Sequence, residues 1–232
     1  MPIPKRQFFT NELFEFLQEL KSNNDREWFA ENKQRYEEVI RMPALEFIAA
    51  LEKPFARVAP FFPISRKKVG GNLMRIHRDV RFSKNKMPYK TNVGMHFRHE
   101  AGCDVHAPGY YLHIDTEECF MGAGCWQPSG ESLAAIRAAI AGTSKAWLRA
   151  RDQKTFQQYY DLAGDSLKTA PRDYSKDHPM IEDLRRKDFI GLCTLPKETL
   201  ISDTLLEDFM TRIKAARPLM VFLCESMGIS FK

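Results

Sequence analysis

Residues 108–126, PGYYLHIDTEECFMGAGCW, decide the fold. Apolar and polar positions alternate on both sides of a short polar turn at 115–118, and a period of two is typical of strands joined in a hairpin. The same period extends upstream. It predicts four antiparallel strands, around Asn72 to Arg81, Thr91 to His99, Pro108 to Asp115 and Glu118 to Trp126. Residues 189–195 are a candidate for one further strand.

The sequence on either side of this central region has a helical period. Thr10 can cap a first helix, Asn24 or Asp25 a second, and Pro43 suits the first turn of a third. The segment APFFP at 59–63 ends this helical run. Ser129 can cap a later helix, and further helical segments are predicted near 144–161, 179–187, 202–216 and 218–227.

These periods predict one α+β domain over residues 1–232. It is helical over 1–62, an antiparallel meander of four or five strands over 66–126, and mainly helical over 129–232. The C-terminal helices are expected to pack on the sheet.

Composition excludes several classes of protein. The chain has 232 residues, of which 44% are hydrophobic and 28% charged, so it is not a disordered chain. It has no apolar run long enough for a membrane helix and no secretion signal, so we expect a soluble cytoplasmic protein without a membrane partner. Its five cysteines form no CxxC pair, so neither a disulfide framework nor a zinc knuckle is predicted. No cofactor is expected.

The positive charge of the chain is concentrated in residues 64–98. This stretch has ten cations against one acid, Asp79, and carries a charge of +9; since the whole chain carries +5, the remainder carries −4. Such a distribution can steer an anion to one place. The ten cations are Arg66, Lys67, Lys68, Arg75, Arg78, Arg81, Lys84, Lys86, Lys90 and Arg98.

Alternation divides residues 74–81 into two faces. Arg75, His77, Asp79 and Arg81 share a polar face, where the two arginines are expected to hold Asp79 ionised. Met74, Ile76, Arg78 and Val80 share the other face, where a buried Arg78 is expected to pair with a carboxylate.

The polar face and the lysine-rich loop that follows it form the predicted site. Guanidinium groups suit carboxylates or phosphates, and lysines add point charge, so we predict a bound anionic small molecule or phosphate group. If the protein is an enzyme, its acid and base candidates are His77, Asp79 and His113. The ligand-binding candidates are Arg75, Arg78, Arg81, Lys84, Lys86, Tyr89 and Lys90.

Histidines offer a second possible cluster. His77, His96, His113 and Asp115 could converge on one sheet face, where they would form a metal site or an acid/base cluster. Their spacing is unspecific, so no metal ligand is predicted. A loop group of His99, Cys103 and His106 is a weaker candidate.

Gly122 and Gly124 leave one face of a predicted strand as bare backbone. Bare backbone permits the close approach of a ligand, an aromatic ring or a helix. The pattern lacks the third glycine of a dinucleotide fingerprint, and packing against a helix is the simplest expectation.

Two alternatives to a small anionic ligand remain open. The basic segment could follow a nucleic-acid backbone, which would require a positive stripe with exposed aromatics such as Tyr89. It could instead dock an acidic protein partner without any chemistry. Oligomeric state does not follow from the sequence.

Several motifs together resemble a known family. WFAENKQRYE (28–37), RIHRDVRFSKNKMPYKTN (75–92), YYLHI (110–114) followed by GAGCWQP (122–128), and PRDYSKDHP (171–179) occur in the order found in domain of unknown function 2461. The resemblance covers nearly the whole chain. It implies a single-domain cytosolic protein and carries no established activity and no catalytic residue.

Overall fold

The computed structural model describes residues 5–102 and 106–231, and it confirms the predicted α+β class. A π-helical turn, Glu37–Arg41, joins the third helix to the fourth. The helices are α1 (Asn11–Ser22), α2 (Arg26–Glu31), α3 (Lys33–Tyr36), α4 (Met42–Val58), α5 (Gly130–Gly142), α6 (Ser144–Arg151), α7 (Lys154–Gln157), α8 (Ile181–Leu184), α9 (Lys197–Leu200) and α10 (Leu205–Ser226). The strands are β1 (Val93–Arg98), β2 (Gly109–Ile114), β3 (Cys119–Cys125), β4 (Asp161–Ala163) and β5 (Phe189–Thr194).

The N-terminal helices begin where the capping residues predict. Thr10 is extended immediately before α1 but its side chain makes no capping hydrogen bond, whereas the Asp25 side chain accepts one from Trp28 N at the start of α2. Of the two predicted caps for α2, Asp25 is therefore the one used. Pro43 lies in the first turn of α4, and that helix ends at Val58, directly before the proline-rich segment.

The five strands form one antiparallel sheet in the order β1-β2-β3-β5-β4. The predicted hairpin joins β2 to β3, with Ile114 opposite Cys119 at its closed end. In the middle of the sheet Gly109 lies opposite Gly124, and Tyr111 lies opposite Gly122. This register brings three glycines together on neighbouring strands.

The predicted strand at Asn72 to Arg81 is wrong. The segment is extended but pairs only at two isolated bridges, Leu73 with Met95 and His77 with Tyr89. The two ends of the segment pair with different parts of the chain. Met74 N donates to Gly94 O in β1, whereas Arg78 N donates to Pro88 O, which precedes β1. Pro88 has no N–H to return a second hydrogen bond, so no continuous ladder forms.

Two helical predictions also need correction. The helix expected over 144–161 is divided into α6 and α7, and its last residue begins strand β4. The helices expected over 202–216 and 218–227 are one helix, α10, with Pro218 inside it. Proline costs a helix one hydrogen bond, but α10 carries buried residues along its whole length and packing compensates.

One face of the sheet packs against helices. Phe97 of β1 contacts Phe209 of α10 with ring centroids 5.7 Å apart, and Tyr110 of β2 contacts Phe55 of α4 at 5.6 Å. The described cysteines, Cys119, Cys125, Cys193 and Cys224, are all buried, and Cys103 lies outside the described residues. Across 5–102 and 106–231, no helix has both the length and the apolarity needed to cross a membrane.

Candidate functional site

The opposite face of the sheet contains a cleft of about 410 Å³. It lies over the central strands, because alternation sends His96, Tyr111 and Gly122 to this face while Met95, Tyr110 and Met121 point to the helices. The lining is largely apolar and aromatic. The lining residues are Met74, His96, Ala107, Gly109, Tyr111, Phe120, Gly122, Ala123, Gly124, Trp126, Ile190 and Leu192.

Glycines form the floor of the cleft, and two of them are required by local geometry. A Cβ on Gly109 would lie 2.5 Å from Nε2 of His96, so the imidazole packs directly on bare backbone. Gly124 has φ +139°, and a Cβ there would lie 2.0 Å from the Phe189 carbonyl oxygen. At Gly124 no other residue type fits without a backbone shift, whereas a side chain at Gly109 would displace the His96 ring.

Gly122 differs from these two glycines. A Cβ there would lie 3.7 Å from both Leu192 Cδ2 and Tyr111 Cβ, which is ordinary van der Waals contact, and its φ is not positive. The local structure therefore accepts a side chain at Gly122. Because Gly122 has no side chain, the middle of the cleft is empty.

His96 is the buried polar group of the cleft. Burial, aided by the positive charge of Arg98, lowers the pKa of His96 from its ordinary value near 6.5 to about 4. The imidazole is therefore neutral at pH 7. Within the part of the chain that the structure describes, no side chain or backbone group hydrogen-bonds to its ring nitrogens, so they are free for a ligand.

Tyr111 connects the cleft to His113. The Tyr111 hydroxyl lies 3.2 Å from Nδ1 of His113, and Asn92 Nδ2 lies 3.4 Å from the same nitrogen. With the His113 proton on Nε2, Nδ1 can accept a hydrogen bond from either of these two side chains. His113 stacks on Phe120 at 4.7 Å, and burial lowers the pKa of His113.

The structure brings together only some of the predicted histidines. His96 and His113 share the open face, two positions apart in register. His77 is exposed and lies against Tyr89 and Phe29 of the helical layer. Among the described residues, no three His, Cys, Asp or Glu side chains are placed to hold a metal ion. The weaker loop group includes Cys103, which falls outside those residues.

The alternation predicted for the basic segment holds even though no strand forms. Arg75, His77, Asp79 and Arg81 are exposed, whereas Met74, Ile76, Arg78 and Val80 are half-buried. The expected carboxylate partner of Arg78 is not found among residues 5–102 and 106–231. Arg78 is only half-buried, so water can solvate it and no ion pair is required.

Asp79 is held ionised, as expected. Both of its oxygens accept hydrogen bonds from the Arg81 guanidinium, at 2.9 and 2.7 Å, and this lowers the pKa of Asp79 to about 2. The Arg81 charge is thereby neutralised locally. Burial and the nearby charge of Arg75 both lower the pKa of Lys90. For a lysine this change disfavours the charged form, whereas the lowered pKa of Asp79 favours its charged form.

The lysines of the loop after residue 81 are exposed, whereas Tyr89, which follows them, is buried. Lys84 and Lys86 are exposed, and Lys86 Nζ donates to the Val80 carbonyl at 3.0 Å. Tyr89 is buried and stacks on Phe29 at 4.1 Å, so it is not the exposed aromatic that a nucleic-acid surface would need. Phe82 takes that place in the loop, since its side chain is 93% exposed.

The basic segment runs beside the cleft along the edge strand β1. Met74 lines the cleft, and its Sδ lies 3.0 Å from the Cβ position of Gly94. Arg98 shares the open face with His96 and donates to the Gly70 carbonyl at 3.3 Å. Positive charge thus borders one side of an apolar cleft.

Sequence reasoning missed most of the cleft wall. It identified bare backbone at Gly122 and Gly124 but expected a helix to pack there. Trp126, Ile190 and Leu192 were not recognised, because only the pairing of β3 with β5 brings 190 and 192 beside the glycines. Trp126 is 47% exposed at the rim, which an isolated sequence does not reveal.

Comparison with known proteins places the chain in a family. The family model described as “Conserved hypothetical protein (DUF2461)” matches residues 12–222. The chain belongs to this family. The match spans α1 to α10 and includes both the cleft and the basic segment. The family description names no activity, and neither the curated proteins nor the solved structures gave a match.

Proposed function

We propose that the protein binds a small organic anion in the cleft on the open face of the sheet. The apolar part of the ligand lies on the glycine floor, and its anionic group points toward Arg98 and the basic segment. The observation that carries the proposal is Gly122, which the backbone does not require and whose missing side chain leaves the cleft open.

The size and chemistry of the cleft support this assignment. Its volume of about 410 Å³ is within the range of ligand sites, which combine apolar walls with a few polar groups. Tyr111, Phe120 and Trp126 supply aromatic surface. Neutral His96 supplies a directional hydrogen bond, and Arg98 supplies charge next to it.

Acid/base chemistry, if the ligand is turned over, belongs to the histidines of this face. Asp79 is occupied by Arg81, and His77 points to the helical layer. His113 contacts the cleft through the Tyr111 hydroxyl and is neutral at pH 7. The remaining predicted cations, Arg75, Arg78, Lys84, Lys86 and Lys90, would steer an anion toward the cleft.

The test uses 8-anilinonaphthalene-1-sulfonate, an aromatic anion, and its uncharged analogue N-phenyl-1-naphthylamine. We expect saturable fluorescence enhancement by both. Gly122→Leu, which fills the cleft from its floor, removes the cleft component of this binding for both probes, and Leu192→Trp, which fills it from the side, does the same. Gly142→Leu is the matched control, because Gly142 ends α5 with open space around its Cβ position.

A variant that removes the Arg98 charge tests recognition of the anionic group separately from binding of the apolar part of the ligand. Arg98→Gln weakens binding of the sulfonate at this site about tenfold, as expected for a lost charged hydrogen bond, and leaves the uncharged probe unaffected. Lys53→Gln on the exposed side of α4 makes the same charge change and should alter neither probe. Unchanged binding by folded Gly122→Leu and Leu192→Trp would rule out the cleft as the site.

Phe82 favours a second candidate, binding of single-stranded nucleic acid by residues 81–87. The Arg81 guanidinium lies 5.8 Å from the Phe82 ring centroid, and Lys84 and Lys86 flank it, a combination suited to stacking a base beside its phosphate. Fluorescence anisotropy with a labelled oligonucleotide should show that Phe82→Ala weakens binding at least about fivefold. Met42→Ala, which removes another exposed apolar side chain, is the control.

A further inference from the structure

A second and separate groove lies between α6 and α10. Its volume is about 1080 Å³, and residues 228–231 form part of its wall. One stripe of α10 lines it, at positions three and four residues apart as expected for one helix face. That stripe consists of Lys214, Arg217, Pro218, Val221, Phe222 and Glu225.

Two contacts fix how the helices that line the groove run. Trp147 of α6 packs on Phe222 with ring centroids 5.2 Å apart, and the Tyr160 hydroxyl, just after α7, donates to the Arg212 carbonyl at 3.2 Å. The chain from α6 to α7 therefore runs antiparallel to α10. Consequently Arg149, which follows Trp147 on α6, lies toward the Lys214–Arg217 end of the groove.

This end of the groove carries positive charge that the described residues do not neutralise. Arg149 donates only to a backbone carbonyl, that of Lys145, and Arg217 Nε is buried without an acceptor. Lys214 has no carboxylate within ion-pair distance in the described chain.

Neighbouring arginines on the same helices are paired. Arg151 of α6 pairs with Asp152 and Asp183, and Arg212 of α10 pairs with Asp208. The cations that face the groove are thus distinguished from those beside them by having no acid.

The rest of the groove combines apolar side chains with the polar Gln153, Thr155 and Ser230, and it ends in an acid. Phe222 and Ile229 contribute apolar surface, and the Arg217 guanidinium lies 5.8 Å from the Phe231 ring centroid. Glu225 is eight residues beyond Arg217, about 12 Å along the helix. An anionic group is therefore attracted to one end of the groove and repelled from the other.

We propose that this groove is a binding site for an amphiphilic anion, a molecule with one carboxylate or phosphate group and an apolar body. The anionic group binds Arg217, Lys214 and Arg149, and the apolar body lies along Val221 and Phe222. The site does not depend on the cleft of the sheet, since the cleft lies on the opposite face of the sheet from α10.

Isothermal titration calorimetry on the full chain tests the proposal with four probes below their micelle concentrations. These are dodecanoate, dodecyl phosphate, dodecyltrimethylammonium and inorganic phosphate. We expect saturable binding of the two amphiphilic anions, at least about tenfold weaker binding of the cationic amphiphile, and weaker binding still of inorganic phosphate. The ratio of dodecanoate to dodecyl phosphate affinity identifies which anionic group the site prefers.

Variants assign that binding to the groove. Lys214→Gln/Arg217→Gln should weaken both amphiphilic anions at least about tenfold, and Val221→Trp should obstruct the apolar half. Lys53→Gln should leave binding unchanged, and the double variant should cause the same loss in the Gly122→Leu background as in the wild type, which separates this site from the sheet cleft. The proposal is overturned if the double variant binds dodecanoate as tightly as the wild type, or if the cationic amphiphile binds as tightly as dodecanoate.

Discussion

Tyr111 lies opposite Gly122 across β2 and β3, and a Cβ on Gly122 would sit 3.7 Å from the Tyr111 Cβ. One side of this pair presents an aromatic ring to the open face, and the other presents backbone. The pair thus forms both a wall and the floor of the cleft. Two residues further along the same strands, Gly109 lies opposite Gly124 and extends the bare backbone surface. At these two positions, unlike Gly122, an added Cβ would clash with neighbouring atoms.

Alanine substitutions at the two glycines of β3 should have different effects. Gly122→Ala has space and an ordinary backbone conformation, so we expect a change in unfolding free energy below about 1 kcal/mol. Gly124→Ala places a Cβ against the Phe189 carbonyl at positive φ and should cost at least about 2 kcal/mol. Urea unfolding followed by circular dichroism measures both. Equal losses would contradict the assignment of backbone strain to Gly124.

Asp188 should be a major contributor to stability. It is buried, and its two oxygens accept from Gln127 N at 2.7 Å and Asp165 N at 2.8 Å, which fixes Gln127 at φ 45°. Asp188→Ala leaves two backbone donors unsatisfied, so we expect a loss of about 2–4 kcal/mol. Asp173→Ala, which removes an exposed carboxylate, is the matched control in the same urea experiment.

His96 should make stability depend on pH in a defined window. Its pKa falls from near 6.5 in the unfolded chain to about 4 in the folded protein, so the unfolded state takes up a proton first as pH decreases. The folded state therefore loses stability between pH 6.5 and pH 4, by at most about 3 kcal/mol.

His96→Gln should flatten this part of the stability curve, whereas His77→Gln, an exposed control, should not. The imidazole resonances of His96, followed by NMR, give the folded-state pKa directly. A midpoint near 6.5 would contradict the burial argument.

The Asp79–Arg81 pair should have little effect on stability. Both side chains are largely exposed, and pairs of this kind contribute little because solvent screens them and ordering two side chains costs entropy. Asp79→Asn should leave the thermal unfolding midpoint unchanged. It should also release the Arg81 charge and strengthen the salt-dependent binding of 8-anilinonaphthalene-1-sulfonate, and a lowered midpoint would show that the pair is structural.

Elements that depend on local patterns could be predicted. The turn at 115–118 and the alternation around it gave the β2–β3 hairpin, and capping residues such as Asp25 gave helix starts. The exposed and half-buried sides of residues 74–81 also followed from alternation alone.

Predictions that depended on a distant partner failed. The segment 72–81 has a strand pattern, but whether it forms a ladder depends on what residues 88–94 offer it. The helical segments predicted near 202–216 and 218–227 are one helix, because packing along the whole of α10 overrides the loss of one hydrogen bond at Pro218.

The sequence by itself determined the hairpin, the starts of the N-terminal helices and the concentration of charge in residues 64–98, since each depends on spacing or composition. Only the tertiary structure decided where a ligand could lie. The register that aligns Gly109 with Gly124 and Tyr111 with Gly122 joins residues far apart in the chain, and β5 adds Ile190 and Leu192 beside them. A cleft is the empty space between such residues, and a local sequence pattern does not show which side chains will surround that space.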